Sequence, residues 1–372
     1  MGNVFGRILR VSTYGESHGV AVGCIIDGLP AGLVVDLQEI QAELDRRRPG
    51  QNKLTTQRKE ADSVEILSGV FRGAATGTPL ALEVRNGDQR SGDYSEMERL
   101  YRPSHADRAY DLKYGFRDHR GGGRSSVRES IGRVAAGALA KRLLRETCGT
   151  KILAWVESVE TVEANIDPTK VTLEAIEASL VRCPDAVASA AMEEAITRAR
   201  GDGDSVGGVV RLRIENPPVG IGEPVFDRLE AELAKAMLSI PATKGFEIGS
   251  GFAGTRLRGS VHNDPLRASA SGVVQTKNDS GGVQGGITVG SPIDARIAFK
   301  PTATIASTQE TVDQKGHDAV LAAKGRHDPC VVSRAVPIVE AMAALVLADA
   351  YLLQRSRAQM FAPPPPDSRE NP

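Results

Sequence analysis

The sequence predicts one large domain of the α+β class, and three observations support this. The 372 residues, 41% of them hydrophobic, are enough for a sizeable core. Short segments rich in β-branched residues recur, and several alternate apolar with polar residues. Amphipathic helical segments stand between them, and no linker divides the chain cleanly.

The strand segments indicate sheets with one buried face. In Ile293–Phe299, the apolar residues occupy every second position and polar residues stand between them. This period of two is typical of antiparallel sheets. The segments predicted as strands are 22–29, 64–70, 80–84, 152–156, 209–214 and 293–299.

Capping patterns and stop signals locate the helices. Asp36 with Glu39 and Ser126 with Glu129 have the spacing of N-terminal capping boxes. The pair 173–181 and 189–200 lies in an acidic block and is expected to be exposed. The predicted helices are 36–48, 126–148, 173–181, 189–200, 224–239 and 334–354.

The last of these helices is the most apolar, but Glu340 and Asp349 interrupt it. It is therefore expected to be a core helix and not a membrane span. Residues 357–372 form a Pro-rich tail that we expect to be disordered. The folded domain is thus predicted to cover residues 1–356.

Composition limits the classes of function. The net charge of −1 gives no overall attraction to nucleic acid or to membranes, and aromatic residues for base stacking make up only 4%. Four scattered cysteines without a CxxC pair, and no signal-peptide pattern, favour the cytoplasm. No metal-ligand spacing is found.

Basic residues concentrate in two segments, 45–60 and 99–133. The second contains "RGGGRSSVRES" (120–130), in which three glycines precede a predicted helix start, with Arg124 before it and Arg128 in its first turn. Exposed N–H groups and guanidinium groups at a helix start form an anion site. A glycine-rich turn without a ligand is the alternative at this stage.

Three histidines lie in tight turns rich in Gly, Pro or charge: His18 in "GESHG", His105 in "YRPSHAD" and His327 in "KGRHDPC". A loop histidine is often only structural, but histidine is also the usual general acid near neutral pH. A Ser–His–Asp triad of Ser17, His18 and Asp328 is disfavoured, because adjacent Ser and His side chains rarely align and no nucleophile elbow is present.

Together, the motifs "GESHG", "DRRRPG", "RPSHAD", "RGGGRSSVRES", "KPTATI" and "KGRHDPC", in this order, resemble the chorismate synthase family. The resemblance covers about residues 4–354. It implies a homotetramer in which antiparallel sheets and helices form a βαβ sandwich. It also implies a 1,4-anti elimination of phosphate from 5-enolpyruvylshikimate 3-phosphate, which gives chorismate and requires reduced FMN without net redox change.

The resemblance assigns residues to both ligands. The residues that match the family's substrate contacts are Arg47, Lys53, Arg102, Arg128 and Arg326. Those that match its flavin contacts are Arg124, Ser125, Ser126, Pro241, Ala242, Gly285, Lys300, Pro301, Thr302, Ala303, Thr304 and Arg326. Arg47 and Lys53 also match positions assigned to NADPH, the possible reductant.

The implied catalytic groups are His18, His105, Asp328 and Ser17. Asp328 would help to take the departing ring proton through flavin N5, and His18 would protonate the leaving phosphate. His105 would hold a proton near the reduced flavin. Ser17 would link Asp328 or the flavin by a hydrogen bond.

Three positions depart from common family patterns. Ser104 replaces a frequent glycine, Ala303 a serine and Pro241 an asparagine. A flavin-linked oxidoreductase using NADPH and an RNA-binding protein are the competing interpretations. The absence of a dinucleotide fingerprint weighs against the first, and the low aromatic content against the second. An external flavin reductase would be a partner if the chain does not reduce FMN itself.

Overall fold

The computed structural model describes residues 2–52, 54–55, 60–87, 96–120, 122–270, 272–323 and 328–357. Two five-stranded antiparallel sheets dominate it, with smaller hairpins attached. The strands are β1 (Val4–Phe5), β2 (Arg10–Gly15), β3 (Ala21–Asp27), β4 (Val64–Ser68), β5 (Val70–Phe71), β6 (Ala74–Ala75), β7 (Leu80–Arg85), β8 (Lys151–Val159), β9 (Val162–Glu163), β10 (Gly208–Glu215), β11 (Thr243–Ile248), β12 (Leu266–Ser269), β13 (Gly272–Gln275), β14 (Val283–Gln284), β15 (Ile287–Thr288), β16 (Ile293–Phe299), β17 (Gln309–Val312) and β18 (Asp318–Leu321).

The first sheet has the order β1-β2-β3-β7-β4, and the second has the order β11-β16-β10-β8-β9. The six predicted strand segments correspond to β3, β4, β7, β8, β10 and β16. In β16 the burial alternates along the strand as the sequence pattern predicts, so one face of the second sheet lies in the core.

The helices are α1 (Leu37–Arg47), α2 (Asp107–Tyr114), α3 (Ser130–Cys148), α4 (Leu173–Glu177), α5 (Ala186–Gly201), α6 (Leu229–Leu238), α7 (Gly251–Gly254), α8 (Gly259–His262) and α9 (Val332–Ser356). Helix α3 packs on β2, β3 and β7, and α9 packs on β8 and β10. The two helices pack on each other, so sheet, helix pair and sheet form the predicted α+β sandwich. A Cβ on Gly137 would lie 2.4 Å from that of Ala341, so glycine is needed where α3 and α9 touch.

Several predicted helix boundaries were wrong. Short 3-10 turns at Gly123–Ser125 and Val127–Glu129 precede α3, which starts at Ser130 and not at 126. Helix α6 starts at Leu229 rather than 224, and α4 ends at Glu177 rather than 181. Helix α5 is not simply exposed, because it buries an apolar stripe against β8 and β9.

Only the N-cap half of each predicted capping box forms. The Asp36 carboxylate accepts a hydrogen bond from the Gln38 N–H, and the Ser126 hydroxyl accepts one from the Arg128 N–H. The glutamates three positions later pair instead with arginines of α3: Glu39 with Arg142 and Arg145, and Glu129 with Arg133. Ion pairs with a packed helix therefore compete successfully with the local cap.

Helix α9 is long and apolar enough to cross a membrane, but 72% of its most apolar window is buried inside the protein. It is the central core helix that its interrupted apolar pattern predicts. Pro337 has no N–H to donate to the Ser333 carbonyl one turn earlier. The Arg182 guanidinium donates to that carbonyl at 2.6 Å and satisfies it.

A buried ion cluster joins three helices to the second sheet. Glu340 of α9 accepts from Arg46 Nη1 at 2.6 Å, from Lys141 Nζ at 2.5 Å and from the Ala154 N–H of β8 at 3.1 Å. Glu43 also bridges Arg46 and Lys141. This cluster fixes the C-terminal end of α1 against α9, immediately beside Arg47.

Candidate active site

A cavity of about 1050 Å³ lies where the loops before α2, α3 and α9 meet the end of α1 and the loop after β16. It brings together residues from distant parts of the chain. The predicted site residues in its wall are His18, Arg47, Arg102, His105, Arg124, Ser125, Ser126, Arg128, Pro241, Ala242, Lys300, Thr302, Ala303, Thr304 and Asp328.

Some predicted residues are not in this wall. Gly285 lies in the turn between β14 and β15, and neither it nor Pro301 lines the cavity formed by the described residues. Lys53, Arg326 and His327 lie outside the described residues. The assignments of these residues to substrate, cofactor or catalysis stay predictions.

Ser17 and His18 lie in the turn between β2 and β3. Both are buried, and the Ser17 hydroxyl lies 3.1 Å from His18 Nδ1. Adjacent Ser and His side chains rarely align, but these two lie within hydrogen-bonding distance. The contact orients the imidazole, whose ring contributes to the cavity wall.

Arg102, His105 and Asp107 form a second cluster on the loop that begins α2. Arg102 Nε and Nη2 donate to the two Asp107 oxygens, each at 2.8 Å, and the arginine N–H donates to the same carboxylate. This bidentate geometry fixes the guanidinium plane at the cavity wall. The cluster includes Asp107, a residue that the sequence motif contained but that the sequence analysis did not assign.

Asp107 also fixes the tautomer of His105. His105 Nδ1 lies 2.9 Å from Asp107 Oδ1. Burial lowers the His105 pKa, with Arg102 acting in the same direction, while the hydrogen bond to Asp107 opposes the shift. Neutral His105 therefore donates from Nδ1 to the carboxylate and has its acceptor at Nε2.

Two turns beside the cavity, at Gly122 and at Ser104, need left-handed backbone. Gly122 has φ +89, and a Cβ there would lie 3.3 Å from both His105 Cε1 and Ser125 Oγ. Ser104, in the position where many family members have glycine, also has positive φ, at +56. Both turns thus use left-handed backbone to bring the loops together.

Arg124 turns back toward β2. Its Nη1 donates to the Gly15 carbonyl at 2.9 Å, and its Nη2 donates to the Thr13 hydroxyl at 2.6 Å. Two 3-10 turns separate this loop from α3, so the predicted helix start directly after the glycines was wrong. The anion site at this loop stays a prediction.

The opposite wall is formed by the loop after α6 and the loop after β16. The Lys300 N–H donates to the Ala242 carbonyl at 2.9 Å, which joins the two loops, and Ala242 has φ +72. The Thr302 hydroxyl donates to the Asp328 carbonyl at 2.8 Å. Burial lowers the pKa of Lys300.

Asp328 precedes α9 and forms an ion pair with Arg334 of its first turn. Arg334 is buried, lines the cavity and donates from Nε to the Arg47 carbonyl at 3.4 Å. Arg334 was not predicted as a site residue, although an arginine in the first turn of an otherwise apolar helix is a signal for one. The ion pair holds the carboxylate at the edge of the cavity.

The cavity suits a flat aromatic cofactor with a phosphate. Hydroxyl, lysine and arginine groups provide donors for an anion, while Ile338 and Met342 with Leu345 of α9 provide an apolar wall. A Cβ on Gly122 would crowd His105 and Ser125, two residues of the cavity wall. The residues present therefore fit FMN together with an anionic substrate.

The fold and this basic, histidine-containing cavity define an enzyme that acts on a small anionic ligand. A family model described as chorismate synthase matches residues 9–352. Chorismate synthase of Synechococcus sp. (strain RCC307) is 59% identical over 358 residues, covering 96% of this chain and 99% of the relative. That of Synechocystis sp. (strain ATCC 27184 / PCC 6803 / Kazusa) is 60% identical over 353 residues, covering 95% and 98%.

A solved structure titled "Crystal Structure of Chorismate Synthase" has a TM-score of 0.72 and 33% identity, and covers 94% of this chain and 93% of its own. The chain belongs to the chorismate synthase family. The family's activity is the reduced-FMN-dependent elimination of phosphate from 5-enolpyruvylshikimate 3-phosphate to give chorismate in the shikimate pathway. Membership assigns this lyase activity to the chain.

Proposed function

We propose that the cavity described above is the place where this elimination occurs. The observation that supports this is the convergence of His18, His105 and Asp328 with four buried arginines around one cavity. A substrate with two carboxylates and one phosphate needs several guanidinium groups, which bind such anions in bidentate geometry. We assign the substrate to Arg47, Arg102 and Arg128, with Lys53 and Arg326 as predicted further contacts.

We assign FMN to the loops on either side of the cavity: Arg124, Ser125 and Ser126 on one side, and Pro241, Ala242 and the segment 300–304 on the other. Gly285 and Arg326 stay predicted FMN contacts, and Arg47 and Lys53 stay predicted NADPH contacts. When bound there, reduced FMN would supply an electron-rich ring for the reaction. The apolar side chains of α9 would exclude water from that ring.

His18 is the general acid for the leaving phosphate, and the Ser17 hydroxyl orients its imidazole. Asp328 takes up the ring proton and is held in place by Arg334. His105, oriented by Asp107, exchanges a proton at Nε2 near the cofactor. The general acid and the proton acceptor thus come from opposite ends of the chain, and the fold holds them in one preorganised site.

Phosphate release from 5-enolpyruvylshikimate 3-phosphate under anaerobic conditions tests the proposal. The expected result is release with chemically reduced FMN and none with oxidised FMN. His18→Ala and Asp328→Ala should each reduce turnover about a hundredfold or more. His317→Ala, which removes an exposed histidine paired with Asp313, is the control and should keep full activity. Full activity of both site variants would refute the assigned roles.

The reductant is a separate part of the proposal. We propose that reduced FMN is supplied by an external flavin reductase, since the sequence has no dinucleotide fingerprint beside Arg47 and Lys53. Steady oxidation of NADPH by the pure protein with FMN would contradict this and indicate an intrinsic reductase. We further propose a cytoplasmic homotetramer, with residues 1–356 as its catalytic domain and 357–372 as a tail.

A further inference from the structure

A buried carboxylate that the sequence analysis did not assign lies between two of the cavity arginines. Asp62 precedes β4, is 1% exposed and has a left-handed backbone with φ +46. Gln41 of α1 fixes this segment: its Nε2 donates to the Asp62 carbonyl at 3.2 Å, and its Oε1 accepts from the Val64 N–H at 3.0 Å. The position of the carboxylate is thus set by α1 and β4 together.

The two oxygens of Asp62 bind different arginines. Arg47 Nη1 donates to Oδ2 at 2.8 Å, and Arg128 Nη1 donates to Oδ1 at 2.9 Å. Arg47 comes from the last turn of α1, and Arg128 comes from the 3-10 turn before α3. One carboxylate therefore joins two elements that are far apart in sequence, and both arginines line the cavity.

Further contacts fix the planes of both guanidinium groups. Arg47 Nε donates to the Ser130 hydroxyl at 3.1 Å, and its Nη2 donates to the Val127 carbonyl at 3.2 Å. Arg128 Nε donates to the Asn86 side-chain oxygen. Because Arg47 donates from all three guanidinium nitrogens and Arg128 donates from Nε and Nη1, both guanidinium planes are fixed before any ligand arrives.

The electrostatics require a counter-ion at this point. The pKa of Arg47 is lowered to about 9: burial lowers it most, the nearby charges of Arg334 and Arg128 lower it as well, and Asp62 opposes the shift. Two buried guanidinium groups close together repel each other. A carboxylate between them offsets both the burial and the repulsion.

We propose that Asp62 is a positioning residue that holds Arg47 and Arg128 side by side for the anionic groups of the substrate. The inference rests on the proposed function, in which these two arginines bind 5-enolpyruvylshikimate 3-phosphate. It assigns Asp62 no contact with FMN and no proton transfer. Its loss should therefore weaken substrate binding much more than flavin binding.

The variant Asp62→Asn is suited to the test because asparagine keeps the size of the side chain and tolerates left-handed backbone. We expect KM and the Kd for substrate, measured by calorimetry with oxidised FMN, to rise about tenfold or more, the scale of a lost charge-assisted contact. The Kd of FMN should change less than about twofold, and kcat should fall less than KM rises. Asp62→Glu, with the charge displaced, should recover part of the affinity.

Glu43→Gln is the matched control. Glu43 also bridges two cations, Arg46 Nη1 at 3.0 Å and Lys141 Nζ at 2.9 Å, but it is not part of the cavity wall. The control should lower the melting temperature and leave both Kd values unchanged. If Asp62→Asn behaves in the same way, Asp62 is only a structural ion and the inference is wrong.

Two other outcomes also decide the question. Tighter substrate binding by Asp62→Asn would mean that the carboxylate merely opposes the ligand, and this would overturn the positioning role. Failure of the wild-type protein to release phosphate with reduced FMN would refute the proposed function itself. If the wild-type protein is active and Asp62→Asn binds the substrate with the wild-type Kd, only the role of Asp62 is refuted.

Discussion

Asp107 Oδ1 lies 2.9 Å from His105 Nδ1, and the same carboxylate forms a bidentate pair with Arg102. One buried carboxylate therefore orients a histidine and an arginine that both line the cavity. Burial alone would raise the pKa of Asp107. Hydrogen bonds from Arg102 and His105 nevertheless hold this pKa far below its usual range. The first two predictions test this relationship.

Asp107→Asn should destabilise the protein by roughly 3–5 kcal/mol at pH 7, because it leaves the buried Arg102 charge without its carboxylate. Since the folded-state pKa is lowered, Asp107 stabilises the protein above its unfolded pKa of about 3.9, and this stability is lost as the pH falls further. Urea unfolding of the wild type and the variant from pH 7 to pH 3 measures this change in the free energy of unfolding. The variant should show a shallower loss at acid pH, and an unchanged pH dependence would contradict the assignment.

The imidazole of His105 should titrate below the ordinary value of about 6.5 in the ligand-free protein. Asp107→Asn should move the His105 pKa further down, because the carboxylate is the group that raises it. Nitrogen-detected NMR of the imidazole, assigned by comparison with His105→Asn, measures both values. A pKa that rises on removal of the carboxylate would show that the hydrogen bond does not act as described.

His18→Gln should lose about a hundredfold in single-turnover phosphate release, because the general acid is removed. Ser17→Ala should lose less, since it removes only the hydroxyl that lies 3.1 Å from His18 Nδ1. Both variants should bind FMN as the wild type does, which fluorescence titration can check. Equal losses in both variants would indicate that Ser17 contributes more than orientation.

Gly122→Ala should weaken FMN binding about tenfold or more. The added Cβ meets His105 and Ser125 at 3.3 Å, in a backbone with φ +89 that alanine rarely adopts. Gly149→Ala is the matched control: φ is +66, and no atom lies within 4 Å of the added Cβ. The control should lose about 1 kcal/mol of stability and keep its FMN affinity. If both variants bind FMN equally, the close packing at Gly122 has no bearing on the cofactor.

Glu340→Gln should destabilise the fold by roughly 3–5 kcal/mol, as expected for one partner removed from a buried ion cluster. Burial alone would raise the Glu340 pKa, but Arg46 and Lys141 lower it to about 2. Its stabilisation is therefore lost as the pH falls from about 4.3 toward 2. Urea unfolding of the wild type and the variant measures this difference in the free energy of unfolding. Glu146→Gln, at an exposed pair with Arg142, should change stability by less than about 0.5 kcal/mol. Equal effects would show that the burial of Glu340 is unimportant.

The sequence by itself determined the type of six strands and six helices, and its motifs contain much of the cavity wall. Alternating burial in β16 and the apolar stripe of α3 follow directly from period-two and helical patterns, which are local properties of the chain. The histidine and arginine loops were found as motifs, and the family resemblance related them to one reaction. Predicted element boundaries were wrong where contacts with other parts of the fold override local sequence rules, as at the 3-10 turns before α3.

Only the tertiary structure decided which charges meet. Nothing local in the sequence pairs Asp62 with Arg47 and Arg128. Asp107 and Arg334, in contrast, pair with residues nearby in the chain, which are Arg102, His105 and Asp328. Arg47 and Arg128 come from elements far apart in the chain, and the packing of α1 against α3 brings them to one cavity. Sequence patterns report which face of an element is buried, whereas ion pairing depends on distances that only the packed structure defines.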